Sequence, residues 1–478
     1  MLFDTPIYLA FLLLIVAVYW RLGFRQQNYF LLAASYFFYG WWDWRFLSLI
    51  AISTVVDYFC ALAISRSSNS AKRRLLLSFS IVLNLGFLGF FKYFNFFAQS
   101  AHMMFAGFGI DIPKPVLEIL LPPGISFYTF QALAYIVDVY FRKMEPSENF
   151  IDYALFISLF PHLIAGPIQR PSHLLPQTQS PRVFDSEKFF SGLQLICYGM
   201  FRKCVVADGC GLIANAAFEG RLGGHNLPAM LIGAYAFAWQ IYGDFSGYSD
   251  IARGSAQLIG FHFMVNFRQP YLSRSLQEFW RRWHISLSTW LRDYLYISLG
   301  GSRAGEVRTY SNLMWTMVIG GFWHGANFTY IVWGFIHGIG LAAERSLVKF
   351  HLLKDRKHPE LERDTLSDPR AWVSRIVLFH VVCVAWIFFR ATSVTEAFRF
   401  LGGATTWQWL PEHRAAFVYL VFLAIPLFAL DLLLEKRDEE YPFEKATWEI
   451  RVAGAVSASI LVLMFTANQS NAFIYFQF

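Results

Sequence analysis

Apolar runs of about 18 to 25 residues recur along the whole chain, separated by short polar stretches, and each is long enough to cross a hydrocarbon layer roughly 30 Å thick. Together with several shorter or interrupted runs, they predict helices over 6–20, 28–41, 46–64, 75–97, 117–141, 151–168, 189–207, 227–241, 312–321, 328–343, 373–389, 417–434 and 452–467. That is about a dozen spans. The first run has no basic leading region and no small-residue cleavage site, so it reads as a retained helix rather than a signal peptide.

The middle of the chain departs from this pattern. Between Trp239 and Tyr296 the residues Asp244, Asp250, Arg253, Arg268, Glu278 and Arg292 are interleaved with aromatic residues and glycines. Each ionised group held at a bilayer centre costs at least about 2.5 kcal/mol, so this segment must line a polar interior or lie at the interface. Pro122, Pro123 and Gly124, and again Pro161, Gly166 and Pro167, break two further apolar runs. Such breaks suit re-entrant elements, whose backbone must be satisfied by protein or by a wet cavity. The predicted fold is an all-α polytopic membrane protein. It forms a single integral membrane domain over 1–478, a ring of about a dozen transmembrane helices around a thin polar centre.

Composition agrees with that pattern. Hydrophobic residues make up 56% and charged residues 15%, well under the roughly 25% charged of a soluble domain. The net charge of +7 reports lysine and arginine held in cytoplasmic loops rather than affinity for nucleic acid. Arg21 and Arg25, then Arg66, Lys72, Arg73 and Arg74, then Arg142 and Lys143 follow alternate spans, which places the N-terminus outside. The stretch 345–370, with Lys354, Arg356, Lys357 and Arg363, is read as a cytoplasmic loop. The five cysteines show no paired spacing, so neither a disulfide framework nor a metal site is expected.

Three constellations carry candidate chemistry. In Gly320-Gly321-Phe322-Trp323-His324-Gly325, a histidine sits in an apolar, aromatic segment where a neutral imidazole can act as base or nucleophile; the glycines are read as leaving room for a substrate. In the block 275–296, on a helix Trp280, Trp283, Leu287 and Trp290 fall near one face, with Arg281, Arg282 and Arg292 around it and His284 beside them, which suits an interfacial element. Arginines at a membrane mouth suit a phosphate-bearing donor, and a helix that binds lipid headgroups has the same pattern. In the block 242–253, Asp244 is read as a buried acceptor, and Asp250 and Arg253, three apart, as an ion pair. His162, His262, His337 and His380 are read as packing or hydrogen-bonding residues. No zinc-protease, serine-hydrolase or nucleotide-binding motif is present.

These residues, with Phe91-Lys92-Tyr93-Phe94-Asn95, the segments 121–131 and 160–168, Asp244-Phe245-Ser246-Gly247-Tyr248-Ser249-Asp250 and a terminal Tyr475-Phe476-Gln477-Phe478, resemble the membrane-bound O-acyltransferase family. The likeness covers most of the chain and points to the bacterial branch that serves exported polysaccharides such as alginate. It implies a catalytic His324 and a second active-site position at His284. Arg281, Arg282, Trp280 and Trp283 are read as donor-binding, and Asp250, Asp244, Arg253 and Asn327 as structural or site-lining. The resemblance further implies a thioester donor, acetyl coenzyme A or an acyl carrier protein, with no tightly bound cofactor or metal. A periplasmic or extracellular acetyltransferase partner is implied too, with the chain in the inner membrane. A transporter or flippase that makes no bond, and a scaffold that anchors an outer enzyme, are the competing functions; neither requires His284 and His324 as a pair.

Overall fold

A computed structural model of the protein describes residues 1–110, 117–164, 166–303, 305–350, 352 and 366–466. The terminal 475–478 motif, Ala165 and most of the basic 345–370 stretch lie outside the described residues. Among the described residues the secondary structure is helical, with no strand. Six helices are long and apolar enough to cross a membrane: Trp44–Arg66, Ser70–Gly107, Phe328–Lys349, Pro369–Arg390, Pro411–Arg437 and Trp448–Phe465.

Other predicted spans take different forms. The run 151–168 divides at its proline into Phe150–Ser158 and the single turn Phe160–Leu163. The run 117–141 yields only Ile125–Tyr140, which is buried at every position from Ile125 to Ile136. Apolar composition therefore reports burial in protein here, and a run shortened by Pro or Gly does not form a full-length helix.

The chain packs as two compact units, one of Met1–Leu193 with Ile251–Met264, the other of Gln194–Asp250 with the residues from Val265 on. In the first unit, polar side chains tie the apolar helices together. The Asp57 carboxylate is buried and accepts from Ser80 Oγ at 2.5 Å and Asn84 Nδ2 at 3.0 Å. Asp152 accepts from Asn28 at 2.7 Å and Arg25 at 3.1 Å. The predicted breaks are present, and at the second Phe160 N donates to Ser35 Oγ at 3.0 Å. Gly124, at φ +76°, meets the second break so closely that a Cβ would lie 2.3 Å from the Leu163 carbonyl oxygen.

The second unit holds the polar segment apart from Ile251–Met264. Its helices include Asp208–Phe218, Glu306–His324 and the span Phe328–Lys349, together with most of the 32-residue helix Leu227–Leu258. Two basic side chains in the π-helical turn Phe201–Ala207 compensate the buried acids. Lys203 Nζ lies 2.8 Å from Asp208 and 2.9 Å from Asp244, and Arg202 pairs with Asp250. Removing either sign would leave an uncompensated charge in the protein interior.

Candidate active site

The block 275–296 is not one continuous helix. It divides into Leu276–Arg282 and Ile285–Trp290, followed by the π-helical turn Leu291–Tyr296. At the break, His284 adopts φ 43°, ψ 54°, in the left-handed region that side chains other than glycine rarely enter. Asn266 holds the break from outside: its carbonyl accepts from Ile285 N at 2.9 Å, and its Oδ1 accepts from Ser286 Oγ at 2.9 Å. This departure from helical geometry carries the His284 ring inward, where it is fully buried against Phe245 at 4.5 Å between centroids. Burial pushes the His284 pKa well below the ordinary imidazole value, so the ring is neutral.

His324 ends the Glu306–His324 helix and is 3% exposed. Its ring centroid lies 6.5 Å from that of His284, and the ring packs edge-on against Trp333 at 5.2 Å and Phe389 at 5.3 Å. At that separation the two rings are within ordinary aromatic contact range, enclosed by aromatic side chains.

The glycines around His324 serve a different purpose from the one the sequence suggests. A Cβ on Gly321 would lie 2.3 Å from the Tyr330 carbonyl oxygen, and one on Gly325 would lie 2.1 Å from the Tyr330 ring. Their space is filled by the Phe328–Lys349 helix rather than left for a substrate. That helix reciprocates, since a Cβ on Gly334 would lie 2.3 Å from the Met317 carbonyl oxygen. Backbone-to-backbone contact of this kind is how small residues join membrane helices.

A cavity of about 620 Å³ opens beside this pair of helices. Trp280, Arg281, Ile285, Leu291 and Met317 form part of its wall, and its charged lining has four cations, Arg281, Arg292, Arg345 and Lys349, against Glu306 and Glu344. Arg282 and Trp283 are placed elsewhere. Arg282 is engaged with Glu278 at 2.9 Å and Glu435 at 2.7 Å, and Trp283 is packed among Phe267, Phe279 and Trp386.

The sequence profile of membrane-bound O-acyltransferases matches residues 139–388, a segment that contains both histidines and the cavity wall. Over the full length of both chains, the protein is 39% identical to a probable alginate O-acetylase of Pseudomonas putida. It is 44% identical to the corresponding Azotobacter vinelandii protein over 84% of this chain and 77% of that one. It is also 32% identical to a peptidoglycan O-acetyltransferase of Helicobacter pylori over 100% of this chain and 98% of the other. The chain belongs to the membrane-bound O-acyltransferase family.

The remaining residues singled out from the sequence have structural partners of their own. Asn327 caps the Phe328–Lys349 helix, its Oδ1 accepting from Thr329 N at 3.0 Å, while its Nδ2 donates to the Thr392 carbonyl at 2.9 Å. Asp244 and Asp250 are held by Lys203 and Arg202, and Arg253 is buried in the other compact unit. Sequence reasoning did not name Trp333, Phe389 and Phe245, whose rings pack against the two histidines, and it treated His337 as packing. Trp333 and His337 are one helical turn apart, a spacing that places both on one face. Nothing in the sequence says which face meets His324.

Proposed function

We propose that this protein passes an acetyl group from a cytoplasmic thioester, acetyl coenzyme A or an acyl carrier protein, across the inner membrane for O-acetylation of an exported polysaccharide such as alginate. The observation that carries this reading is the pair His284 and His324, 6.5 Å apart in a buried aromatic enclosure beside a cationic cavity. The relatives described above support the acyl group and the polymer class, because their names are those of alginate and peptidoglycan O-acetylating proteins.

In this reading the donor's phosphates rest on Arg281, Arg292 and Arg345 at the cavity, where guanidinium groups match phosphate geometry. Arg345 begins the basic stretch that the sequence places in the cytoplasm. The thioester carbonyl reaches the imidazole of His324. The acceptor hydroxyl attacks the carbonyl carbon as His324 takes its proton, the C–S bond breaks, and the proton passes to the departing thiolate. His284, neutral and fixed by its break, orients His324 or the donor carbonyl. A ring of about a dozen spanning helices around a thin centre suits delivery from one side and acceptance on the other. The acceptor on the outer side is assigned to an extracytoplasmic acetyltransferase partner that hands the group on to the polymer.

The test is transfer of radiolabelled acetyl from acetyl coenzyme A into polymer, in inverted vesicles that carry the polysaccharide machinery. Wild type is compared with His324→Ala at matched expression. Loss of label with the substitution supports transfer through His324, and unchanged label removes the assignment.

A further inference from the structure

The donor-binding residues named so far stop at the cavity wall, and the acetyl group must reach His324 beyond it. Two helices connect the places. Leu313, Thr316 and Met317 of Glu306–His324 line the cavity, and His324 lies on the same helix seven residues after Met317, roughly 10 Å along the axis. On Phe328–Lys349 the residues Trp333, His337, Leu341 and Glu344 recur at intervals of four, four and three, so they share one face. Trp333 touches His324, and Leu341 and Glu344 line the cavity. His337 is the position between them.

His337 is 1% exposed and both of its ring nitrogens are buried without a hydrogen-bond partner among the described residues. The indole N–H groups of Trp280 and Trp333 share that condition. The three rings adjoin: His337 lies 5.1 Å from Trp280 and 4.8 Å from Trp333 between centroids, and the two indoles are 5.7 Å apart. Trp280 is also part of the cavity wall. Buried polar groups are ordinarily paired, and four unpaired nitrogens at one point fit a partner that arrives with the ligand.

We propose that His337, with the indole N–H groups of Trp280 and Trp333, binds the pantetheine arm of the acyl donor between the cationic cavity and His324. This rests on the thioester-donor reading above and adds a residue to it. The arm is common to coenzyme A and to acyl carrier proteins. It is a flexible chain with two amides, each offering one C=O acceptor and one N–H donor. A neutral imidazole supplies one donor and one acceptor, and each indole supplies one donor. The ring faces accommodate the methylene segments between the amides. Holding the arm here fixes how far the thioester reaches, which places its carbonyl beside His324 rather than short of it.

The test uses the full-length protein in lipid nanodiscs, with dissociation constants measured for acetyl coenzyme A and for S-acetylpantetheine on a His324→Ala background that prevents turnover. His337→Phe keeps a flat ring and removes both nitrogens, whereas His337→Gln keeps a donor and an acceptor. The expected result is about ten-fold weaker binding of both probes in the Phe variant, the scale of one buried hydrogen bond. Binding should recover to within about three-fold in the Gln variant, with all proteins melting at similar temperatures. Equal binding of both probes by the background protein and the Phe variant overturns the proposal while acetyl transfer by wild-type vesicles stands. Equal loss in the Phe and Gln variants together with a lowered melting temperature assigns His337 to packing and also overturns it. Failure of the background protein to bind either probe, with no transfer by wild type, overturns the donor reading itself.

Discussion

His284 and His324 approach to 6.5 Å between ring centroids with their planes at 50°, although one sits in a left-handed break between two short helices and the other ends a long helix. Their juxtaposition depends on the backbone at His284, where a continued helix would point the ring elsewhere.

His284→Asn should therefore fold, because asparagine tolerates φ near 43°, while acetyl transfer falls by at least ten-fold for want of the imidazole. His284→Val should lose about 1–2 kcal/mol of further stability, since a β-branched residue resists that conformation. Thermal unfolding of both variants in detergent, beside the transfer assay, separates backbone from chemistry.

The buried neutral state of His284 also sets a pH dependence. Its folded pKa lies well below the unfolded value of about 6.5. Above pH 6.5 neither state binds the proton and stability is at its full value. As pH falls below 6.5 the unfolded chain gains a proton that the folded one refuses, so stability declines. Melting temperature measured from pH 7.5 to 5 should fall less steeply in His284→Asn than in wild type. Identical slopes would mean that His284 does not contribute.

Arg281 and Arg282 are neighbours in sequence with different surroundings. Arg281→Ala should raise the donor KM several-fold, more so at low salt, and leave the melting temperature near wild type, because Arg281 lines the cavity. Arg282→Ala should do the reverse, since it strips the partner from Glu278 and Glu435. Donor kinetics and thermal melts on the two proteins read both effects.

Lys203→Met should be among the most disruptive single changes outside the histidines. It leaves Asp208 and Asp244 buried without their shared cation, at a cost of about 3–5 kcal/mol. Adding Asp244→Asn should recover part of that loss. A double variant no more stable than Lys203→Met alone would show that the ion cluster does not act as one unit.

Gly334→Ala tests the helix contact that seats His324. The added methyl would meet the Met317 carbonyl at 2.3 Å and force Glu306–His324 and Phe328–Lys349 apart. We expect about 1–3 kcal/mol of destabilisation and loss of transfer at temperatures where the protein stays folded. Gly402→Ala, where a Cβ meets nothing within 4 Å, is the control.

By itself the sequence determined the membrane setting, the helical class and the family, and it singled out His324 and His284 as candidates. Those are properties of composition, of local periodicity and of short motifs that survive as strings of letters. The breaks at Pro161 and Gly124 were legible for the same reason, because proline and glycine act on their own backbone. Only the tertiary structure decided that the block 275–296 breaks at His284, that Gly321 and Gly334 serve helix packing, and that Arg281 faces the cavity while Arg282 is tied to Glu435. It also brought His337 into line with His324. Each of these depends on contacts between segments far apart in the chain, and a periodic pattern shows which residues share a face without showing what that face meets. In an apolar chain the signal is weaker still, since lipid-facing and core-facing sides carry the same residue types.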